Sequence, residues 1–486
     1  MNIKDLKPSE VWYYFGEICK IPRPSKKEEK IRAYLRSFAK EQGLDLKEDE
    51  IGNIVIYKAA TNGCENMQTV ILQGHVDMVC EKNSDTIHDF ETDPIETYVD
   101  GDWLKAKGTT LGADNGLGAA AALAILASKD IRHGALECLF TVDEETGLNG
   151  AQALGKDLLD GKILINLDTE EEGEVYVGCA GGKTTNIVVN YESATPPINL
   201  FWFKIQVNGL KGGHSGTDID KGLGNANKIL NRYLWTLNRK YGIYLADIKG
   251  GNLHNAIPRE ASATVGIAYG EKESAIIKLN VLLAELTDEL KHTDANVNLA
   301  IESTDKPTSI IDKENSDKLL NALYACPHGV LSMSFDVPGM VETSTNLASV
   351  KMGESNTIQI CTSQRSSVES LKDNASNMVN AAFSLVGAQV KSSDGYPGWK
   401  PNADSAILKV AEKVYCDLFA TKLKVMTIHA GLECGIILEK YPQLDIISCG
   451  PTITDAHSPS EQTNIPSVDR WWTFLLGILA DIPQKN

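Results

Sequence analysis

A chain of 486 residues, 42% hydrophobic and 23% charged, has the length of two to four domains and enough apolar content to bury a large core. Its 65 acidic against 47 basic residues give a net charge of -18, which argues against nucleic acid or an anionic membrane as main partner and suits cations. No run of about 18 apolar residues occurs and the N-terminal stretch has no signal-peptide core, so no membrane span is expected. Ten cysteines stand singly with no Cys-x-x-Cys pair, the pattern of small core residues in a reducing, cytoplasmic setting.

The first fifty residues read as two helices broken at Ile21-Pro22-Arg23-Pro24-Ser25, with Ser25 and Glu28 spaced as a capping box for the second. An apolar strand over 69–75 then ends in His75-Val76-Asp77. Residues i and i+2 of an extended segment share a face, so one imidazole nitrogen of His75 is free for a metal while Asp77 fixes the tautomer. Gly112-Ala113-Asp114-Asn115-Gly116 opens an Ala-rich helix. Asp114 stands where an N-cap belongs, and capping competes with a second reading in which its carboxylate bridges two ions.

The stretch 136–147 carries most of the chemistry. A run of β-formers delivers Asp143, Glu144 and Glu145 in succession, and adjacent carboxylates repel unless cations sit among them. A solvated acidic loop is the competing reading. If one acid binds metal, its neighbour is left to take a proton from water. The strand over 162–168 ends in Asp168, and a late strand from Asp445 runs into a Gly/Pro loop holding His457. Acids and histidines repeatedly placed at the ends of apolar strands are what a ligand site in an open α/β sheet looks like. Two histidines and three carboxylates suit zinc or a similar divalent ion, and suffice for two ions if one carboxylate is shared.

Between about 186 and 395 these motif residues vanish, which marks an inserted domain. Its strand-like runs at 200–207, 261–268, 297–301 and 357–361, with an amphipathic helix over 273–290, predict an α+β class. Roughly two strand-helix modules are discernible. The chain returns through the turn-rich 396–402 to a helix over 404–418, and ends in an apolar core helix around Trp471 and Trp472. The expected organisation is therefore 1–185 and 396–486 as one α/β domain, a mixed sheet flanked by helices, and 186–395 as the insert.

Taken together, Gly74-His75-Val76-Asp77, Gly112-Ala113-Asp114-Asn115-Gly116, Asp143-Glu144-Glu145-Thr146-Gly147, Asn166-Leu167-Asp168 and Ala456-His457-Ser458 resemble the M20 metallopeptidase family, and the chain as a whole resembles its aminoacyl-histidine dipeptidase branch. The resemblance implies a di-zinc site, with cobalt or manganese as substitutes, bridged by Asp114 and a water or hydroxide. His75 and Asp168 would hold one ion, Glu145 and His457 the other. Asp77 would orient His75, and Glu144 would be the general base. It also implies a lid formed by the insert, cytoplasmic location, a homodimer, and small dipeptides ending in histidine, β-alanyl-histidine included, as substrates.

In the insert, His214 lies in a glycine-rich turn where a purely structural imidazole is not obviously needed, and the family uses a lid histidine there to steady the oxyanion. Asn255 and Arg259 resemble a substrate-contacting turn, with Arg259 able to fork onto a carboxylate and Arg365 its rival. His429 and Glu433 belong to a loop for which the resemblance suggests substrate binding. Alternatives stand beside this reading: an M20 deacylase or aminopeptidase, a non-enzymatic peptide-binding protein on a peptidase scaffold, and a magnesium phosphoryl-transfer enzyme, the last lacking a Walker-type loop.

Overall fold

The apolar strand runs of both chain ends assemble into one eight-stranded mixed sheet in the computed structural model, which describes residues 3–485. Its centre is parallel: Leu136–Thr141, Val70–His75, Ile163–Asn166 and Asp445–Ser448 lie side by side in that order. These strands are buried along their length on both faces, which is why they read as continuous apolar runs rather than alternating ones. Antiparallel strands Ile54–Lys58 and Glu174–Cys179 flank them. The helix Ala113–Ala127 is buried almost all round, and the terminal helix Ile465–Ala480 buries Trp471, Phe474 and Leu475. This sheet belongs to a compact unit of Met1–Cys179, Trp399–Thr427 and Leu432–Asn486.

The second unit, Ala180–Gly398 with Ile428–Gly431, is built on a nine-stranded sheet whose pairings are antiparallel. It contains the same β-α-β-β-α-β run twice. One copy is Leu200–Asn208, Ala226–Tyr241, Tyr244–Gly250, Ala261–Ala268, Lys272–Glu289 and Asn298–Ser303. The other begins with Gly181–Asn190 and resumes as Lys313–Ala325, Val341–Met352, Thr357–Ser366, Glu369–Ser384 and Gln389–Ser392. In both copies the fourth strand pairs with the first, the first with the third, and the third with the second. The copies meet edge to edge where Gly250 pairs with Val350. Leu230, Leu234, Leu279, Leu282, Leu320, Val379 and Phe383 from the four helices share one core. Ile428–Gly431, which the sequence reading leaves in the returning α/β part, groups with this unit instead.

One local expectation is corrected. Ser25 and Glu28 form no capping box. The helix starts at Glu29 without a side-chain cap, the Ser25 hydroxyl donates to Asp77, and Glu28 accepts from the backbone of Lys26 and Asp143. Of the two readings open for Asp114, capping is the one without a hydrogen bond: its carboxylate pairs with His75 and His457, at a break where Asp114 and Asn115 are non-helical. No helix among the described residues is long and apolar enough to cross a membrane, and all ten cysteines are free.

Candidate metal centre

The carboxyl ends of the parallel strands converge in the first unit, and the acids and histidines noted at those ends converge with them. Asp114 is the hub. Its Oδ1 lies 3.0 Å from His75 Nε2, and its Oδ2 lies 3.0 Å from His457 Nε2. Asp168 Oδ1 approaches the same His75 nitrogen at 3.6 Å, and Glu145 Oε2 approaches the same His457 nitrogen at 3.1 Å. Each oxygen of Asp114 thus faces a histidine nitrogen, and each of those nitrogens faces a second acid. His75, Asp114 and Glu145 offer ligand atoms all within 4.8 Å of one another.

The electrostatics follow from this crowding. Burial alone would depress the His75 imidazolium, but Asp168, Asp114 and Asp77 outweigh it and hold its pKa well above the usual value. Hydrogen bonds donated to the Asp114 and Glu145 carboxylates push His457 up to about 11. Burial opposes ionisation of Asp114, yet the two histidines bring its carboxyl far below the ordinary range. Protonated histidines therefore supply the positive charge that the carboxylates demand. A divalent cation among the same atoms supplies that charge without the protons, so the donor set fits a metal.

Glu144 is left over. It is not among the close acid–histidine pairs, and burial, only partly offset by His75 and reinforced by Glu433, Glu145 and Asp114, raises its pKa well above the usual carboxylate value. Asp77, fully buried, fixes the surroundings. It faces His75 Nδ1 at 3.4 Å and accepts from the backbone N–H groups of Glu144 and Glu145 at 3.1 and 3.2 Å and from Ser25 at 2.8 Å. The hydrogen bond to His75 and its charge, followed by the bonds from Ser25 and the Glu144 backbone, overcome its burial and lower its pKa to about 2. Asp143, the third acid of the triplet, takes hydrogen bonds from Thr146 and Asn149 and braces the turn.

Several residues that sequence reasoning did not single out hold this arrangement. Glu461, buried, accepts from the backbone N–H groups of Leu111, Gly112 and Ala113 at 2.7 to 3.0 Å, clamping the Asp114 loop to the loop that carries His457. Arg23 donates to the carbonyls of Val76 and Asp77 at 3.0 and 2.7 Å and also to Gly112. Asn115 donates to Leu167 at 2.7 Å, beside Asp168. Glu433, which the sequence reading did single out, lies beneath the strand ends, where its Oε2 accepts from Gln73 at 2.6 Å and Thr141 at 2.7 Å, while its Oε1 is buried without a partner among the described residues. Burial raises Glu433 to about 7. The one sequence signal was position: Glu461 lies four residues after His457, and Arg23 between two prolines.

The second unit gathers a different set. His214 Nδ1 accepts from the backbone N–H groups of Gly216 and Thr217 at 3.3 and 3.2 Å, which assigns its proton to Nε2. That Nε2 lies 3.4 Å from Arg365 Nη2. Burial and the Arg365 charge lower the His214 pKa, so the ring is neutral and two N–H donors face each other with no acceptor between them. Arg365 is buried and makes no ion pair among the described residues; its Nε has no partner. His429 is occupied. Its Nε2 lies 2.7 Å from Ser344 Oγ, Val341 engages it through the backbone, and burial together with Arg365 lowers its pKa to about 3. Arg259 is exposed, and Asn255 contributes its backbone carbonyl to Ser215 at 2.8 Å.

A parallel-sheet scaffold presenting acids and histidines around a shared carboxylate defines a metal-dependent hydrolase. The comparisons give the family: residues 71–481 match the model of peptidase family M20/M25/M40, and the chain belongs to that family, an enzyme of the metallopeptidase class. It is 44% identical over 486 residues to a cytosol non-specific dipeptidase of Escherichia coli (strain K12), covering 100% of both chains. The crystal structure of an aminoacylhistidine dipeptidase from Vibrio alginolyticus superposes with a TM-score of 0.94 at 42% identity, over 100% of this chain and 99% of that one. An aminopeptidase from Bacillus cereus shares the fold, with a TM-score of 0.58 at 16% identity over 98% and 99% of the two chains.

Proposed function

We propose that the chain is a di-zinc dipeptidase that releases histidine from unblocked Xaa-His dipeptides, β-alanyl-histidine included, with cobalt or manganese able to replace zinc. The observation that carries the reading is the Asp114 carboxylate, whose two oxygens face His75 and His457, each histidine nitrogen approached in turn by a second acid, Asp168 or Glu145. Asp114 would be shared by two ions, each completed by one of those pairs. Held by these residues, divalent ions would supply Lewis-acid polarisation of the scissile carbonyl and a lowered pKa for a bound water.

The chain's own residues supply the rest. Glu144, outside the close acid–histidine pairs, takes the proton of the attacking water and passes it to the leaving amine nitrogen. Asp77 sets the ring of His75 and the backbone at Glu144 and Glu145, so it acts on catalysis through position. In the second unit, the Nε2–H of neutral His214 suits the oxyanion. Arg365, a buried guanidinium without a counter-ion, suits the substrate carboxylate better than the exposed Arg259 does. Asn255 is assigned a polar backbone contact with substrate, Glu433 a place at the floor of the site, and His429 a bracing role through Ser344.

The test is release of histidine from a panel of Xaa-His dipeptides, with zinc-loaded and chelator-stripped protein, alongside dipeptides lacking histidine and acylated amino acids. Zinc-dependent histidine release that exceeds release from other dipeptides is expected. Cleavage of acylated amino acids alone overturns the substrate class. Equal cleavage of all dipeptides favours a second reading, broad dipeptide hydrolysis, which the name of the Escherichia coli relative supports. The same reading takes the enzyme as a cytosolic homodimer, checked by sedimentation.

A further inference from the structure

Arg365 is held by a residue to which the reading above gives no part. Its Nη1 donates to the hydroxyl of Tyr396 at 3.0 Å, while Nε has no partner and Nη2 meets only the donor side of His214. Tyr396 is itself fixed. Its backbone pairs in both directions with Gly182, N–H to carbonyl at 3.0 and 3.1 Å, and its carbonyl accepts at 2.6 Å from Lys372, whose side chain is buried. The phenol ring fills a slot walled by Gly182 and Gly431, where a methyl group on either glycine would stand 2.6 or 2.8 Å from ring atoms. Only glycine at both positions leaves room for the ring, and the ring so held has no second place to go.

The consequence lies in the shape of a guanidinium. Tying Nη1 to a fixed oxygen orients the plane and leaves the opposite edge, Nε with Nη2, as two parallel donors matched to a carboxylate. We propose that Tyr396 is a positioning residue for substrate recognition, its hydroxyl locking Arg365 so that the Nε–Nη2 edge is presented to the C-terminal carboxylate of the dipeptide. The proposal rests on the assignment of Arg365 made above. It adds a determinant of affinity that touches no substrate atom, because a pre-set fork loses less freedom on binding than a mobile one.

Tyr396→Phe removes one oxygen and keeps the ring in its slot. The experiment compares alanyl-histidine with its C-terminal amide on zinc-loaded wild type, Tyr396→Phe, Arg365→Lys and the double variant. The expected result is a KM for alanyl-histidine raised roughly five- to tenfold by Tyr396→Phe, as loss of one hydrogen bond implies, with kcat within about twofold and the amide unaffected. In the Arg365→Lys background the same change should have no further effect. An unchanged KM in Tyr396→Phe, with wild type still preferring the free carboxylate, overturns the positioning role. So does an equal loss on both substrates accompanied by a lower melting temperature, the mark of a merely structural tyrosine. Wild type that handles the amide as well as the free dipeptide overturns the Arg365 assignment itself.

Discussion

The two units carry opposite electrostatic deficits. In the first, Asp114, Glu145, Asp168 and Glu144 crowd around two histidines, and the cluster wants positive charge. In the second, Arg365 is buried beside two neutral histidines and makes no ion pair among the described residues, so the cluster carries an excess of positive charge. Burying unbalanced charge is expensive in either sign, and the function proposed above gives the first cluster a cation and the second an anion.

The sharpest way to break this comparison is to remove a group from the first cluster that compensates nothing. Glu144→Gln should lower kcat by about a thousandfold or more, as loss of a positioned base does, while metal content by elemental analysis stays at the wild-type value. Turnover near wild type would show that the base lies elsewhere. His457→Ala removes a ligand instead. Metal affinity should fall about a hundredfold, and excess zinc in the assay should recover part of the lost activity. Recovery in Glu144→Gln by the same treatment would mean that the two residues had been assigned to the wrong roles.

How much of this was legible in the chain depends on distance along it. His75, Asp114, Glu144, Glu145, Asp168 and His457 each follow or open an apolar element, so local pattern alone points to them. Glu461 and Arg23 act through backbone atoms about 350 and 50 to 90 residues away, and a buried charge bonded to remote amides or carbonyls leaves no local periodicity. Ser25 and Glu28 mislead for the same reason, since tertiary partners at Asp77 and Asp143 outcompete the helix terminus. The duplication in the second unit is faint in sequence because one copy is interrupted by the other: Gly181–Asn190 is parted from Lys313–Ala325 by the whole of its counterpart. Arg365 reads as an ordinary strand residue until burial without a counter-ion sets it apart from Arg259.

The second cluster is tested more gently, because it binds rather than reacts. Arg365→Met keeps much of the side-chain volume and removes the charge; kcat/KM for dipeptides should fall about 30-fold, chiefly in KM, and a dipeptide amide should not notice. The smallest effect is one that neutral pH conceals. Asp77 is held at about 2 in the folded protein against an ordinary 3.8, a depressed pKa, so its contribution of about 2 kcal/mol is complete above the unfolded value and drains away as pH falls through 4 toward 2. In metal-free protein the melting temperature of Asp77→Asn should therefore lie below wild type at pH 6 and converge on it near pH 2. Parallel curves across that range would mean that Asp77 is held by its geometry alone, and that its charge does not stabilise the cluster it braces.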